Sequence, residues 1–294
     1  MDINFLRMAK ITKAIIPVAG YGTRFLPTTK AQPKEMLNIV DKPVIQYIVE
    51  EAVASGITDI ILVTGSGKRA VEDHFDHNLE LYNWLKKQKK ENTLEELKKI
   101  AEMANFIYIR QKGPYGNGTP VLNAQKIIGN EPFAVLWGDD VFYGGKKPRL
   151  KQLIEAYEKY GDPVLTACRV EKEATSRYGI IDAIKVEENI YQVKKIVEKP
   201  GPQKAPSTLA SVGGYILTPD IFEVLSKTKI GKGGELWLAD AMSSLLKQRP
   251  FYACEVDAKY YDVGSKIGWL TANVDLALTR ADLKDEFKKF LKSI

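Results

Sequence analysis

Through the first half of the chain, short and almost wholly apolar runs alternate with segments long enough for amphipathic helices. The runs are KAIIPVA (Lys13 to Ala19), DIILVT (Asp59 to Thr64), FIYIR (Phe106 to Arg110), FAVLW (Phe133 to Trp137) and PVLTACRV (Pro163 to Val170). Continuous apolarity is the mark of strands covered on both faces, and alternation with helices predicts βαβ units in a doubly wound α/β sheet. Between the first two runs the pattern predicts a helix capped by Asp41, with Lys42 and Pro43 in its first turn, Ile45, Ile48, Val49, Ala52 and Val53 inward, and Gly56 at its end. The second half changes character. YGIIDAIKV, IYQVKKIVEK and SVGGYILT are β-rich with little helix between them, which predicts an antiparallel excursion on the same sheet. Helices of roughly Ser265 to Arg280 and Asp282 to Ser293 finish the chain, and GPQKAPS (Gly201 to Ser207) reads as a loop with a mobile tip.

Composition narrows the class. Of 294 residues, 45% are hydrophobic and 27% charged, the balance of a globular chain with a sizeable core and not of a disordered or fibrous one. Lys and Arg total 43 against 37 Asp and Glu, for a net charge of +6, which suits anionic partners such as phosphorylated metabolites. The basic residues are interspersed with acids, as in KKQKKENTLEELKKIAEM, so a solvated helix face is expected there and no nucleic-acid groove. Cys168 and Cys254 have no His or third Cys near them in sequence, which argues against a disulfide framework or a metal site. The absence of a membrane-length apolar run or a secretory signal pattern leads to an expected cytoplasmic location.

In an open α/β sheet, ligands bind beyond the carboxyl ends of the strands. After the first strand comes GYGTRFLPTTKAQPKEM (Gly20 to Met36), a glycine-rich turn followed by Arg24, Lys30 and Lys34. Gly20 and Gly22 let backbone amides approach a polyphosphate, and the three cations can surround it. Neither common nucleotide loop fits. A Rossmann fingerprint needs glycine where Phe25 stands, and TGSGKR is a decoy, because a Walker A loop needs glycine at Leu62. After the fourth strand, Gly138-Asp139-Asp140 offers carboxylates for a hard cation bridging phosphates, and Asp262 in YYDVGSKIG is a second acidic candidate. Taken alone, any one such Asp reads first as a cap or turn former, and it is the acids together with the cationic loop that strengthen the phosphate-metal reading. His74 and His77 lie in EDHFDH and are expected on a surface helix turn.

The run GxGTRxLPxTKxxPKEM (Gly20 to Met36), VDKPxIQYxVEEA (Val40 to Ala52), Gly179 after Tyr178, VEKP (Val197 to Pro200) and DVG (Asp262 to Gly264) together resemble the bacterial-type UTP:glucose-1-phosphate uridylyltransferases, or UDP-glucose pyrophosphorylases. The resemblance covers almost the whole chain and implies a Rossmann-like nucleotide-diphospho-sugar transferase fold in one domain. It would comprise a nucleotide-binding part of about 10–165, a β-rich sugar-binding part of about 166–262 and C-terminal helices over 265–294. It implies condensation of UTP with glucose 1-phosphate to give UDP-glucose and pyrophosphate, with Mg2+ as cofactor and a homo-dimer or homo-tetramer as assembly. Ala19 and Gly20 would hold the base through their backbone, with Gln111 at its edge and Glu35 lining the pocket. Arg24 would bind the triphosphate, Lys34 the reacting phosphate, and Asp139 and Asp262 the metal. Gly179, Glu198 and Lys199 would form the sugar-phosphate site, and Gly22, Gly116, Gly118, Asp140, Gly213 and Gly214 complete the substrate-binding set. Thr119-Pro120, Trp137-Gly138 and Gly214 depart from the family pattern, so a sister enzyme using dTTP or another sugar 1-phosphate stays open at this stage. A non-catalytic sugar-nucleotide sensor is the alternative of a different class.

Overall fold

A computed structural model describes residues 9–294. Nine strands form its main sheet: β1 (Lys13–Pro17), β2 (Asp59–Thr64), β3 (Asn105–Arg110), β4 (Phe133–Leu136), β5 (Val164–Arg169), β6 (Gly179–Lys185), β7 (Ile190–Glu198), β8 (Leu209–Leu217) and β9 (Tyr252–Glu255). Their order across the sheet is β3-β2-β1-β4-β8-β5-β9-β7-β6. The pairs β1–β2, β1–β4, β2–β3 and β5–β9 are parallel, as the near-continuous apolar runs predict, whereas β8 runs antiparallel between β4 and β5. Antiparallel β6 and β7 close the far edge. The expected antiparallel strands thus lie on the same sheet, with β8 at its middle.

Side chains alternate across a strand, so each strand feeds two cores. Ile16, Ile60, Leu62, Ala134 and Leu136 pack on one face under helices Val44–Ala54 and Arg149–Tyr160. Ile15, Ile61, Val63 and Val135 pack on the other, under Gly118–Asn123, Asp220–Lys227 and Leu238–Leu245. All nine strand residues are fully buried, and each large one contributes about 1.5–3 kcal/mol by leaving water.

The structure corrects several expectations. Asp41 does not cap the first helix: its carboxylate takes Arg280 Nη1 at 2.6 Å, Lys42–Pro43 forms a two-residue strand with Asn38–Ile39, and the leading amide of Val44 donates to Leu37 O. A guanidinium from the far end of the chain and a small hairpin have taken the groups that a cap would have used. The amphipathic stretch from Leu79 to Ala104 folds as two helices, Leu79–Lys87 and Glu91–Glu102, with Lys89 at φ 55°. Helices Asp220–Lys227 and Leu238–Leu245 stand in the β-rich half, where the pattern predicts little helix, and share one face of the sheet with Gly118–Asn123, with Phe222 stacked on Phe133 at 5.1 Å. The terminal helices Lys266–Thr279 and Lys284–Leu291 fall close to their expected bounds, the first capped by Ser265, whose side chain accepts from Gly268 N–H.

A buried ion pair ties the layers together beneath the site. Arg149 presents Nε and Nη2 to the two oxygens of Glu51 at 2.8 and 2.9 Å, and its Nη1 donates to Gly213 O. Gly213 and Gly214 form an irregularity in β8 at φ 68° and 145°. A Cβ at Gly213 would strike the Phe142 ring and Arg149, and one at Gly214 would strike Val135 O, so only glycine lets β8 turn here.

Candidate active site

Strands β1, β3 and β4 end together, and their following residues surround one cavity of 240 Å³. Its lining includes Ala19, Gly20, Tyr21, Lys34, Glu35, Gln111, Tyr115, Gly116, Asn117, Pro120, Trp137, Gly138 and Asp139. It lies beyond the carboxyl ends of these strands, the usual ligand position in an open α/β sheet. The glycine-rich segment after β1 forms no helix. It folds as three short 3-10 turns, Thr23–Phe25, Thr28–Lys30 and Lys34–Met36. Gly22 sits at φ 67° with Lys34 and Thr29 against it, and Thr29 Oγ1 donates to its carbonyl at 2.7 Å. That contact brings the third turn back over the cavity.

Consecutive residues of this third turn point to different partners. Lys34 Nζ donates to Asp139 Oδ2 at 2.5 Å. Burial lowers the proton affinity of Lys34, but the charges of Asp139, Glu35 and Asp140 more than offset this, and its pKa stands above the ordinary lysine value. Glu35 Oε2 accepts from Lys68 Nζ at 2.7 Å in an ion pair with Lys68 5% and Glu35 1% exposed. Burial pushes the Glu35 carboxyl upward, with Lys68 and Lys34 opposing it. Glu35 Oε1 is buried without a hydrogen-bond partner among the described residues. The TGSGKR stretch is no Walker loop, but its Lys68 supports a cavity-lining carboxylate from behind the wall. Lys68 follows the carboxyl end of β2, as Lys34 and Asp139 follow the ends of β1 and β4.

The acids converge through a small ladder. Asp140–Tyr143 pairs antiparallel with Lys259–Asp262, placing Asp140 opposite Asp262. Val263 N–H donates to Asp139 O at 3.0 Å. A Cβ at Gly264 would meet Asp139 Oδ2 and lie 3.2 Å from Asp262 Oδ1, so both carboxylates edge one small cradle. Arg24 closes its far side, with Nη1 donating to Gly264 O at 3.4 Å. Asp140 faces elsewhere: its oxygens accept from Tyr260 Oη at 2.8 Å and Gly213 N–H at 3.0 Å, and burial followed by the Asp139 charge raises its pKa. Among the described residues no group of three or more His, Cys, Asp or Glu is arranged for a metal. Two hard carboxylates at one cradle, Asp139 of them on the cavity lining, fit magnesium, which takes one or two carboxylates and completes its shell with phosphate and water oxygens.

The sugar-side candidates adjoin this cradle. Arg177 Nη2 pairs with Asp262 Oδ2 at 3.2 Å, Tyr178 packs against Tyr260, and Lys199 N–H donates to Tyr178 O. Gly179 pairs with Glu198 across β6 and β7, and Lys199 Nζ lies 3.4 Å from Glu198 Oε1. Lys199 holds φ 44°, an unusual conformation for a non-glycine residue, at the point where β7 ends.

The remaining expected residues have other places. Lys30 is exposed and lines no part of the cavity. Gly116 sits at φ 115° against the Leu236 backbone, which leaves no room for a side chain, and Gly118 N–H donates to Leu236 O at 2.9 Å. Thr119 Oγ1 donates to Pro114 O at 2.7 Å, closing its own loop. His74 shares a hydrogen bond with Gln46, and burial lowers its pKa. Cys168 and Cys254 are both free. No helix among the described residues is long and apolar enough to cross a membrane.

Comparison with known proteins agrees with this geometry. A family model described as nucleotidyl transferase matches residues 13–278. UTP--glucose-1-phosphate uridylyltransferase from Bacillus subtilis (strain 168) is 49% identical over 287 residues, covering 98% of each chain. Among solved structures, a UDP-glucose pyrophosphorylase complexed with UDP-glucose superposes with a TM-score of 0.84 at 44% identity, covering 92% of this chain and 100% of that one. A UTP-bound UGPase from Acinetobacter baumannii gives 0.90 at 37%, covering 97% and 99%. With its parallel strand ends, cation-lined glycine loop and paired carboxylates, the chain belongs to the nucleotidyl transferase family.

Proposed function

We propose that this chain transfers the uridylyl group of UTP to glucose 1-phosphate, releasing pyrophosphate and forming UDP-glucose. The observation that carries the reading is the direct contact of Lys34 with Asp139 at the rim of the cavity, with Asp262 beside it. The names of the relatives supply the substrates.

The chemistry is in-line attack of a sugar-phosphate oxygen on the α-phosphorus, so the protein must bring two anions together and fix their line of approach. That oxygen is already ionised near neutrality, and the reaction needs no general base. Consistently, His74 lies outside the cavity lining and is engaged with Gln46. Ala19, Gly20 and Gln111 hold the base end of the nucleotide, Arg24 binds the triphosphate, and Lys34 exchanges its Asp139 contact for the α-phosphate. Gly179 and Glu198 receive the sugar, and Lys199 neutralises its phosphate. Asp139 and Asp262 would hold Mg2+, whose charge would offset that of the phosphates. Asp140 acts through Gly213 and Tyr260, and the glycines at 22, 116, 118, 213 and 214 shape the walls. A cytoplasmic location, suited to two free cysteines, and assembly as a homo-dimer or homo-tetramer belong to the same proposal.

The test is product formation from glucose 1-phosphate with UTP and dTTP in parallel, in magnesium. UDP-glucose is expected as the dominant product. A preference for dTTP would displace the uridylyl assignment, and binding without pyrophosphate release would leave only a sensor.

A further inference from the structure

Tyr21 and Tyr115 stand out among the groups of the cavity that the proposed reaction leaves unused. They are 66% and 60% exposed, yet their hydroxyls are hydrogen bonded at 2.5 Å and their ring centroids lie 6.0 Å apart at an interplanar angle of 48°. Both line the cavity, one on the glycine-rich loop after β1 and one on the loop after β3. Folding energetics do not account for the pair, since exposed hydroxyls bond equally well to water and exposed rings bury little area. The backbone beneath each ring is anchored all the same. Gly22 beside Tyr21 is held by Thr29, while Tyr115 O accepts from Leu236 N–H at 2.7 Å. Two aromatic side chains thus project from fixed points and join over one opening.

We infer that Tyr21 and Tyr115 form a hydroxyl-linked aromatic clasp that covers the base of the bound nucleoside triphosphate and slows its escape. This rests on the reading of the cavity as the nucleotide site. Packing of a ring against a base is typically worth about 1–3 kcal/mol on truncation, or on the order of fivefold to a hundredfold in affinity.

UTP binding to the full chain in magnesium, measured by calorimetry and stopped flow, tests the clasp. Tyr21→Leu and Tyr115→Leu are each expected to weaken UTP binding roughly tenfold, with the loss on KM for UTP and not on KM for glucose 1-phosphate. Tyr21→Phe and Tyr115→Phe keep the rings and break the same bond, so each should speed UTP dissociation a few-fold and the double variant no further. Unchanged UTP affinity in both Leu variants, or strictly additive Phe effects, would overturn the clasp while leaving the nucleotide reading intact. Failure of the unaltered protein to bind UTP would overturn both. Both sites are exposed, so a matching thermal melt verifies folding in every variant.

Discussion

Replacing Lys68 by Met leaves the Glu35 carboxylate in the cavity wall with no partner on either oxygen. The pair is almost fully enclosed and joined at 2.7 Å, and Glu35 Oε1 is already unpartnered. Removing one member of a buried ion pair typically costs about 3–5 kcal/mol, because an uncompensated charge stays behind in a poorly solvated place. At about 2 °C or slightly more per kcal/mol for a chain of this size, the melting temperature should fall by roughly 6–10 °C. The sign with pH follows from the direction of the shift. Burial raises the Glu35 pKa in the folded state above its ordinary value of 4.5. Below that value both folded and unfolded chains carry the proton and burial of the carboxyl costs little. As pH rises, the unfolded chain releases the proton first, and the folded state loses stability until its own raised pKa is passed. Lys68→Met removes an attraction that holds that pKa down, so the deficit should be small at pH 5 and grow towards pH 8. Thermal melts of wild type, Lys68→Met and Glu35→Gln/Lys68→Met at several pH values measure this. The double variant should recover much of the loss and lose the pH dependence. A pH-independent deficit, or a double variant no more stable than the single one, would refute the idea that a stranded charge is responsible.

Asp139→Asn and Asp262→Asn should each lower kcat on the order of a hundredfold or more and weaken Mn2+ binding seen by electron paramagnetic resonance; unaltered turnover at saturating magnesium would contradict their role. Gly264→Ala pushes a methyl group against Asp139 Oδ2 and should cut turnover at least tenfold with only a small change in melting temperature, whereas wild-type kinetics would show that the cradle has slack. Lys199→Ala should raise KM for glucose 1-phosphate while UTP affinity, read by calorimetry, is retained. An equal loss for both substrates would place Lys199 on the nucleotide instead.

The strands of the parallel half and the glycine-rich loop were legible from local pattern, because doubly covered strands must be apolar throughout and a polyphosphate loop must combine glycine with cations. Asp139 and Asp262 were also visible as acids at strand or turn boundaries, and Lys34 as a loop cation. What local pattern left undecided was pairing. Asp41 has the chemistry of a cap, but Arg280 reached it first. Lys68 belongs in sequence to the TGSGKR stretch and in space to Glu35. Asp140, adjacent to a metal candidate in sequence, faces Tyr260 and Gly213 instead, and the clasp joins loops with no sequence relation. The two unexpected helices were short segments whose apolar faces acquire meaning only against β8 and its neighbours. Residue type and spacing thus determined which chemistry the chain could perform and where strands would form. The fold alone decided which charges met, since hydrogen bonds and ion pairs act over a few ångströms and those distances exist only once the sheet has closed.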